Sequence, residues 1–131
     1  MMEIKVRKET VVKLYECSQE ALDSFGSLRA LKVNGDLSIW HCPGLTELPD
    51  GLKVNGYLYL NGCTGLMSLP DGLTVGGNLS LYYCAGLKKL PKGLTVFGDI
   101  RYTSGTGFYG HEDEPGVIPE GLKHKLKKRF K

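Results

Sequence analysis

Long apolar runs are missing from this 131-residue chain. A membrane-spanning helix needs roughly 20 consecutive apolar residues, and no stretch here approaches that, so no membrane partner is expected. The N-terminal stretch MMEIKVRKETVVKLYE has no apolar core of the signal-peptide kind, which makes a cytoplasmic location the expectation. Closely paired cysteines are missing too. Of the four cysteines, Cys42, Cys63 and Cys84 are spaced 21 residues apart, whereas zinc ligands come in near neighbours. No metal site is expected, and a structural role for these thiols is a simpler account than pairing. Nor is there a catalytic constellation. His41, His111 and His124 fall at unrelated positions of the period, no Ser or Cys has a matched base, and the period accounts for every glycine of a would-be phosphate loop. No enzyme and no cofactor are expected. An excess of basic residues is absent until the end of the chain. Residues 1–121 hold 11 Lys/Arg against 14 Asp/Glu, a net of −3, whereas 122–131 (LKHKLKKRFK) hold six Lys/Arg and no acid.

What the chain does contain is one unit repeated. Aligned on the cysteines, residues 31–51 read LKVNGDLSIWHCPGLTELPDG, 52–72 LKVNGYLYLNGCTGLMSLPDG, and 73–93 LTVGGNLSLYYCAGLKKLPKG. An imperfect fourth copy starts LTVFGDIRYTSGTGF at 94 and extends to 121. A fixed period of this length marks a solenoid, whose units bury their apolar faces only against their neighbours. Residues 1–30 and 122–131 are then the ends that cap the stack.

Within each copy, Leu37/Ile39, Leu58/Leu60, Leu79/Leu81 and Ile100/Tyr102 are apolar with one residue between, the period of a strand with one buried face. The preceding glycines, Gly35, Gly56, Gly77 and Gly98, suggest turns at positive φ. Leu-x-Val before them (Leu31/Val33 and its counterparts) predicts a second short extended segment. Leu-Pro-x-Gly after the cysteine predicts an irregular arc, because proline cannot donate to a ladder. Stacking such units gives a parallel sheet of about four repeat strands in a mostly-β α/β solenoid, with the cysteines as an inward column. That column is expected to stop at Gly105.

The motif L-x-L-x-x-C-x-G-L resembles the cysteine-containing kind of leucine-rich repeat, and the Leu-Pro arc is similar to the short repeats of bacterial leucine-rich effectors. Similar short repeat proteins occur in bacterial and phage genomes. The resemblance covers about residues 31–122. It implies a curved solenoid whose strand face binds another protein, and the chain has no room for the ligase domain that some of these effectors append.

If Leu37 and Ile39 point inward, their neighbours point outward. The outward columns are Asp36, Tyr57, Asn78 and Asp99; Ser38, Tyr59, Ser80 and Arg101; and Trp40, Asn61, Tyr82 and Thr103. Just beyond lie His41, Gly62, Tyr83 and Ser104. Five of these 16 positions are Trp or Tyr, in a chain that has only eight such residues. Cross-strand aromatic stacking would account for some of this. The concentration also matches the residue types that dominate interface hot spots.

The fourth copy reaches its Ile-Pro-Glu-Gly at 118–121, seven residues late, so the extra length falls in a loop at 109–117 that contains Glu112, Asp113 and Glu114. Leu122, Leu126 and Phe130 at i, i+4 and i+8 predict a helical C-terminal cap. At the N-terminus, Met2, Ile4 and Val6 predict a strand and residues 18–25 a helix, with 10–17 open between the two. The resulting expectation is a monomeric, non-catalytic protein-binding module. Its partner is another protein or complex, engaged through the aromatic strand face and the 109–117 loop, and it would act as an inhibitor by occupying a target, a host defence complex for example. The second reading is a nucleic-acid contact through Lys123, Lys125, Lys127, Lys128 and Arg129 in the basic tail.

Overall fold

The alternation of apolar residues produces short strands, joined side by side by the repeat. The structure, a computed structural model, describes residues 12–13 and 31–129. The strands are β1 (Val12–Lys13), β2 (Lys32–Val33), β3 (Leu37–Ser38), β4 (Lys53–Val54), β5 (Leu58–Tyr59), β6 (Thr74–Val75), β7 (Leu79–Ser80), β8 (Thr95–Val96), β9 (Ile100–Thr103) and β10 (Leu126–Arg129). They form two parallel sheets, a six-stranded one in the order β1-β3-β5-β7-β9-β10 and a four-stranded one in the order β2-β4-β6-β8. Every neighbour within the repeats is 21 residues away, as in Leu37↔Leu58, Leu58↔Leu79 and Leu79↔Ile100. The chain is therefore a mostly-β parallel solenoid, and the Leu-x-Val segments are its second sheet.

The core lies between the sheets and the arc. Leu37, Ile39, Leu58, Leu60, Leu79 and Leu81 are fully buried, as are Leu45, Leu66 and Leu87 after the cysteines, with Phe108 at the next equivalent position. Each such side chain contributes roughly 1.5–3 kcal/mol by leaving water. The arc is irregular, and one hydrogen bond fixes it in every copy. The N–H groups of Leu52, Leu73 and Leu94 donate to the carbonyls of Pro49, Pro70 and Pro91, and Leu122 donates to Pro119 in the same way. The fourth arc thus repeats the first three after its seven extra residues, with Ile118 buried in place of Leu90.

Four expectations need correction or completion. First, most of the strand-entry glycines serve close stacking rather than positive φ. Of Gly35, Gly56, Gly77 and Gly98, only Gly35 has a positive φ, 153°. A Cβ on Gly56 would meet the Gly35 carbonyl at 2.9 Å, and one on Gly98 would meet the Gly77 carbonyl at 2.8 Å. The same residues form a ladder in which Gly56 donates to Gly35, Gly77 to Gly56 and Gly98 to Gly77. Second, the thiols end before Gly105 as expected, but the column of buried donors goes on. Cys63 and Cys84 donate through Sγ to the carbonyls of Ile39 (3.3 Å) and Leu60 (2.9 Å), and Thr106 donates through Oγ1 to the next carbonyl in that series, Leu81, at 2.6 Å. The fourth copy keeps the buried donor with a hydroxyl one residue late.

Third, the tail is not an α-helix. A 3-10 helix spans Glu120–Lys125 and leads into β10, which pairs in parallel with β9 (Leu126↔Ile100 through Arg129↔Thr103). The reason is visible in the chain. Gly-Leu-Lys at 121–123 restarts the repeat just as it does at 51–53, but four residues separate Leu122 from Leu126 where six separate Leu52 from Leu58. The shortened copy skips the second sheet and reaches the first through the 3-10 helix. The stack is thus capped by a strand at this end, as β1 adds one at the other (Val12↔Leu37). Fourth, Cys42 is disulfide-bonded, whereas Cys63 and Cys84 are free thiols. The unpaired expectation holds only for the latter two. The expected strand at Met2–Val6 and helix at 18–25 lie outside the described residues; within 10–17, Val12–Lys13 is strand. No helix among the described residues is long and apolar enough to cross a membrane.

Candidate functional site: the outward face of the long sheet

The outward columns converge on a hollow of about 340 Å³ lined by Trp40, Tyr57, Tyr59, Asn61, Asn78, Ser80, Tyr82, Arg101 and Arg129. Eight of these nine were marked as outward by the repeat alignment. The ninth, Arg129, arrives on β10, where pairing with Thr103 makes it the continuation of the Trp40, Asn61, Tyr82 and Thr103 column. The sequence reading places Arg129 in a basic tail and not on this face, because it gives the tail a helical period. The restart of Gly-Leu-Lys at residue 121 was the signal that could have found it.

The side chains on this face divide into two groups. One group braces the stack. Asp36 accepts from the Tyr57 N–H at 2.7 Å, Asn78 from the Asp99 N–H at 2.8 Å, and Asn61 from both Ser80 Oγ (2.7 Å) and the Tyr82 N–H (3.2 Å). Ser38, Ser80 and Thr103 stand on outward positions yet are buried, and Thr103 Oγ1 accepts from the Tyr83 N–H. The other group is presented to solvent: Trp40 is 55% exposed, Tyr57 42% and Tyr83 45%. Tyr57 and Tyr59 meet edge to face with centroids 5.8 Å apart, a favoured geometry for aromatic pairs. The Tyr57 ring also lies where a Cβ of Gly77 would be, so this glycine makes room for an aromatic.

His41 and Tyr83 carry a conformational cost. They occupy the turn after the strand at φ 54° and 61°, where the second copy uses Gly62 at φ 78°. A non-glycine residue in this region costs roughly 1–2 kcal/mol. Each ring covers a small residue of the following copy, His41 over Gly62 and Tyr83 over Gly105. Large and small residues therefore alternate along the rim.

The face is electrostatically graded across the strands. Burial raises the Tyr59 hydroxyl above its ordinary pKa; Asp36 and Tyr57 raise it further, while Arg101 pulls it down. An acid at the β3 side and a guanidinium at the β9 side thus act on one ring. Arg129 adds a second guanidinium, with Cζ 5.9 Å from the Tyr82 centroid. Among the described residues neither arginine has a carboxylate partner.

The 109–117 loop lies elsewhere, and none of its residues lines the hollow. Glu112 accepts from the Tyr102 hydroxyl at 2.8 Å. Burial pushes the Tyr102 hydroxyl well above its usual pKa, and the Glu112 contact adds to that. Burial alone would also raise Glu112. Its hydrogen bonds from backbone and Tyr102, with Lys128 nearby, outweigh this and hold it below the usual range. His111 pairs with Glu114, while Asp113 is exposed. Lys128 donates to the Tyr109 hydroxyl at 3.0 Å and sits 4.3 Å from that ring's centroid, which ties the loop to β10. Three of the tail's cations are engaged at separate places. Lys123 pairs with Glu120 at 2.9 Å, Lys128 is on Tyr109, and Arg129 is at the hollow.

A larger hollow of about 610 Å³ opens along the arcs, lined by Ser68, Leu69, Asp71, Lys89, Leu90, Pro91, Lys92, Gly93 and Gly116. Most of these are the recurrent Leu-Pro-x-Gly positions, and none is aromatic. Among the described residues, no three His, Cys, Asp or Glu side chains gather to hold a metal. No family model matches the chain, and neither a curated protein nor a solved structure is similar to it.

Proposed function

We propose that this chain is a non-catalytic protein-binding module of the leucine-rich-repeat type that captures its partner on the outward face of the long sheet. The observation that supports this is the gathering of Trp40, Tyr57, Tyr59 and Tyr82 around one hollow while the inward positions of the same copies repeat almost unchanged. Aromatics held by neighbouring rings and glycines lose little entropy when they bind, which favours their use as anchors. The rim residues His41 and Tyr83 keep a costly conformation that glycine would relieve, the kind of retained strain that accompanies recognition.

Size constrains the mode of binding. The four repeat copies and β10, about 4.8 Å apart and each presenting some five extended residues around its short strand, offer roughly 400 Å², about half of what a stable partner interface buries per side. A short segment inserted into the hollow fits this area better than a broad flat surface. In this reading the protein acts by occupying its target, as an inhibitor of a cellular or phage–host complex would. The separate engagements of Lys123, Lys128 and Arg129 argue against the tail as a nucleic-acid arm.

The test is capture of partners from a lysate by the wild type and by Tyr59→Ala/Tyr82→Ala. The double variant should keep its thermal midpoint within a few degrees and lose the captured protein. Capture unchanged by the two substitutions would refute the reading.

A further inference from the structure

Resting on that reading of the face, we propose that Arg101 and Arg129 form an anion clamp at one end of the hollow. The partner segment is then an acidic peptide whose carboxylates meet the clamp while an adjoining apolar side chain lies on the aromatic wall. Both guanidiniums line the same hollow, on the neighbouring strands β9 and β10. Arginine is suited to such a role because its planar fork meets a carboxylate with two parallel hydrogen bonds. Neither side chain has a carboxylate partner among the described residues, so the chain itself leaves the charge unanswered. At the same end, Arg129 packs near the Tyr82 ring, leaving the fork beside an apolar surface.

Charge complementarity decides between an acidic peptide and a polyanion. Asp36 faces the opposite end closely enough to act on Tyr59, and the body of residues 1–121 is net negative. A nucleic-acid strand laid across the hollow would place phosphates against that acid, whereas a segment with one or two carboxylates at its β10 end would not. The peptide therefore runs across the strands with its anionic end over β9 and β10.

Trp40 is the single tryptophan of the chain and lines the hollow, so its fluorescence reports occupancy directly. The experiment titrates two peptides, acetyl-Leu-Phe-Glu-Glu-Leu-amide and the same peptide with both glutamates changed to glutamine, and a short oligothymidine. The acidic peptide should saturate the Trp40 response and bind about 10-fold tighter than the neutral one. Arg101→Gln and Arg129→Gln should each weaken it by about 10-fold, with Arg101→Lys and Arg129→Lys recovering only part. High salt should weaken the acidic peptide alone.

Equal binding of the two peptides, or indifference to both arginine substitutions, would overturn the clamp while leaving the face intact if Tyr59→Ala/Tyr82→Ala still lowers binding. Arginine-dependent binding that neither Trp40 nor the tyrosine pair senses would retain the clamp and refute the face. Binding of neither peptide by calorimetry, or tighter binding of oligothymidine, would also overturn the proposal. So would a concentration-dependent dimer in light scattering that is lost with the arginine substitutions, because a second copy would then be the occupant.

Discussion

The two sides of the long sheet follow different rules. On the inner side the same residue type returns every 21 positions. Leu37, Leu58, Leu79 and Ile100 pair in register, and the buried donor passes from Cys63 to Cys84 to Thr106 onto successive carbonyls. On the outer side Ser38, Tyr59, Ser80 and Arg101 share one register but mix small hydroxyls, an aromatic ring and a guanidinium. A solenoid makes this division natural. Each unit must present the same shape to its neighbours, so packing fixes the inner residues, while the outer ones are free wherever they do not brace the stack. The terminal copy shows how far the inner rule bends: thiol gives way to hydroxyl, and Leu to Phe108, without loss of burial.

Core truncation should break this contrast most strongly. Leu60→Ala should cost about 3–5 kcal/mol in urea denaturation because it opens a cavity between copies. Tyr59→Ala, one residue away on the other face, should cost about 1 kcal/mol or less and act on binding instead. Comparable losses at both positions would mean that the outer face is scaffold.

A second prediction concerns pH. Burial raises the Cys84 thiol to about 12, with Cys63 adding to the shift. The folded state therefore keeps this proton after the unfolded chain has released it near pH 9. Stability is full below that pH and falls as pH rises through the interval up to about 12, by about 3 kcal/mol at pH 11. Chemical denaturation across pH 7–11 should show this decline, and Cys84→Ala should make it shallower, with the raised Cys63 and Tyr102 groups keeping the remainder. The buried donor gives a smaller effect. Thr106→Val removes one of the two donors to the Leu81 carbonyl, which keeps the Cys84 N–H, and removes the acceptor of the Thr103 N–H. It should cost about 1–2 kcal/mol, whereas Thr106→Ser should restore most of the loss. The smallest change should run the other way. Tyr83→Gly relieves the left-handed turn and should stabilise by about 1 kcal/mol while weakening partner capture, a combination visible by thermal denaturation and pull-down together.

The inner architecture was legible because it repeats. Strands, arc and second sheet all follow from residue spacing, and the alignment placed eight of the nine residues that line the hollow. Legibility failed where the period changes. The tail could be read as a helix because Leu122 and Leu126 are four apart, a spacing that also suits a shortened copy passing through a 3-10 turn. Thr106 was hidden by a one-residue shift that keeps the hydrogen bond and moves the residue. The glycines were located correctly and explained wrongly: a missing Cβ serves both positive φ and close stacking, and only the neighbouring carbonyl at 2.9 Å from where a Gly56 Cβ would sit distinguishes the two. Glu112 belongs to the same class, since its bond to Tyr102 joins a loop to a core position and leaves no periodic trace.

The central claim is that recognition belongs to the outer face and stability to the inner one. Amide hydrogen exchange of the protein with and without its captured partner tests it most directly. Protection gained at residues 57–61, 78–82 and 101–103, with the Leu-Pro arcs unchanged, is the predicted result. Protection confined to the arcs or to the 109–117 loop would contradict it.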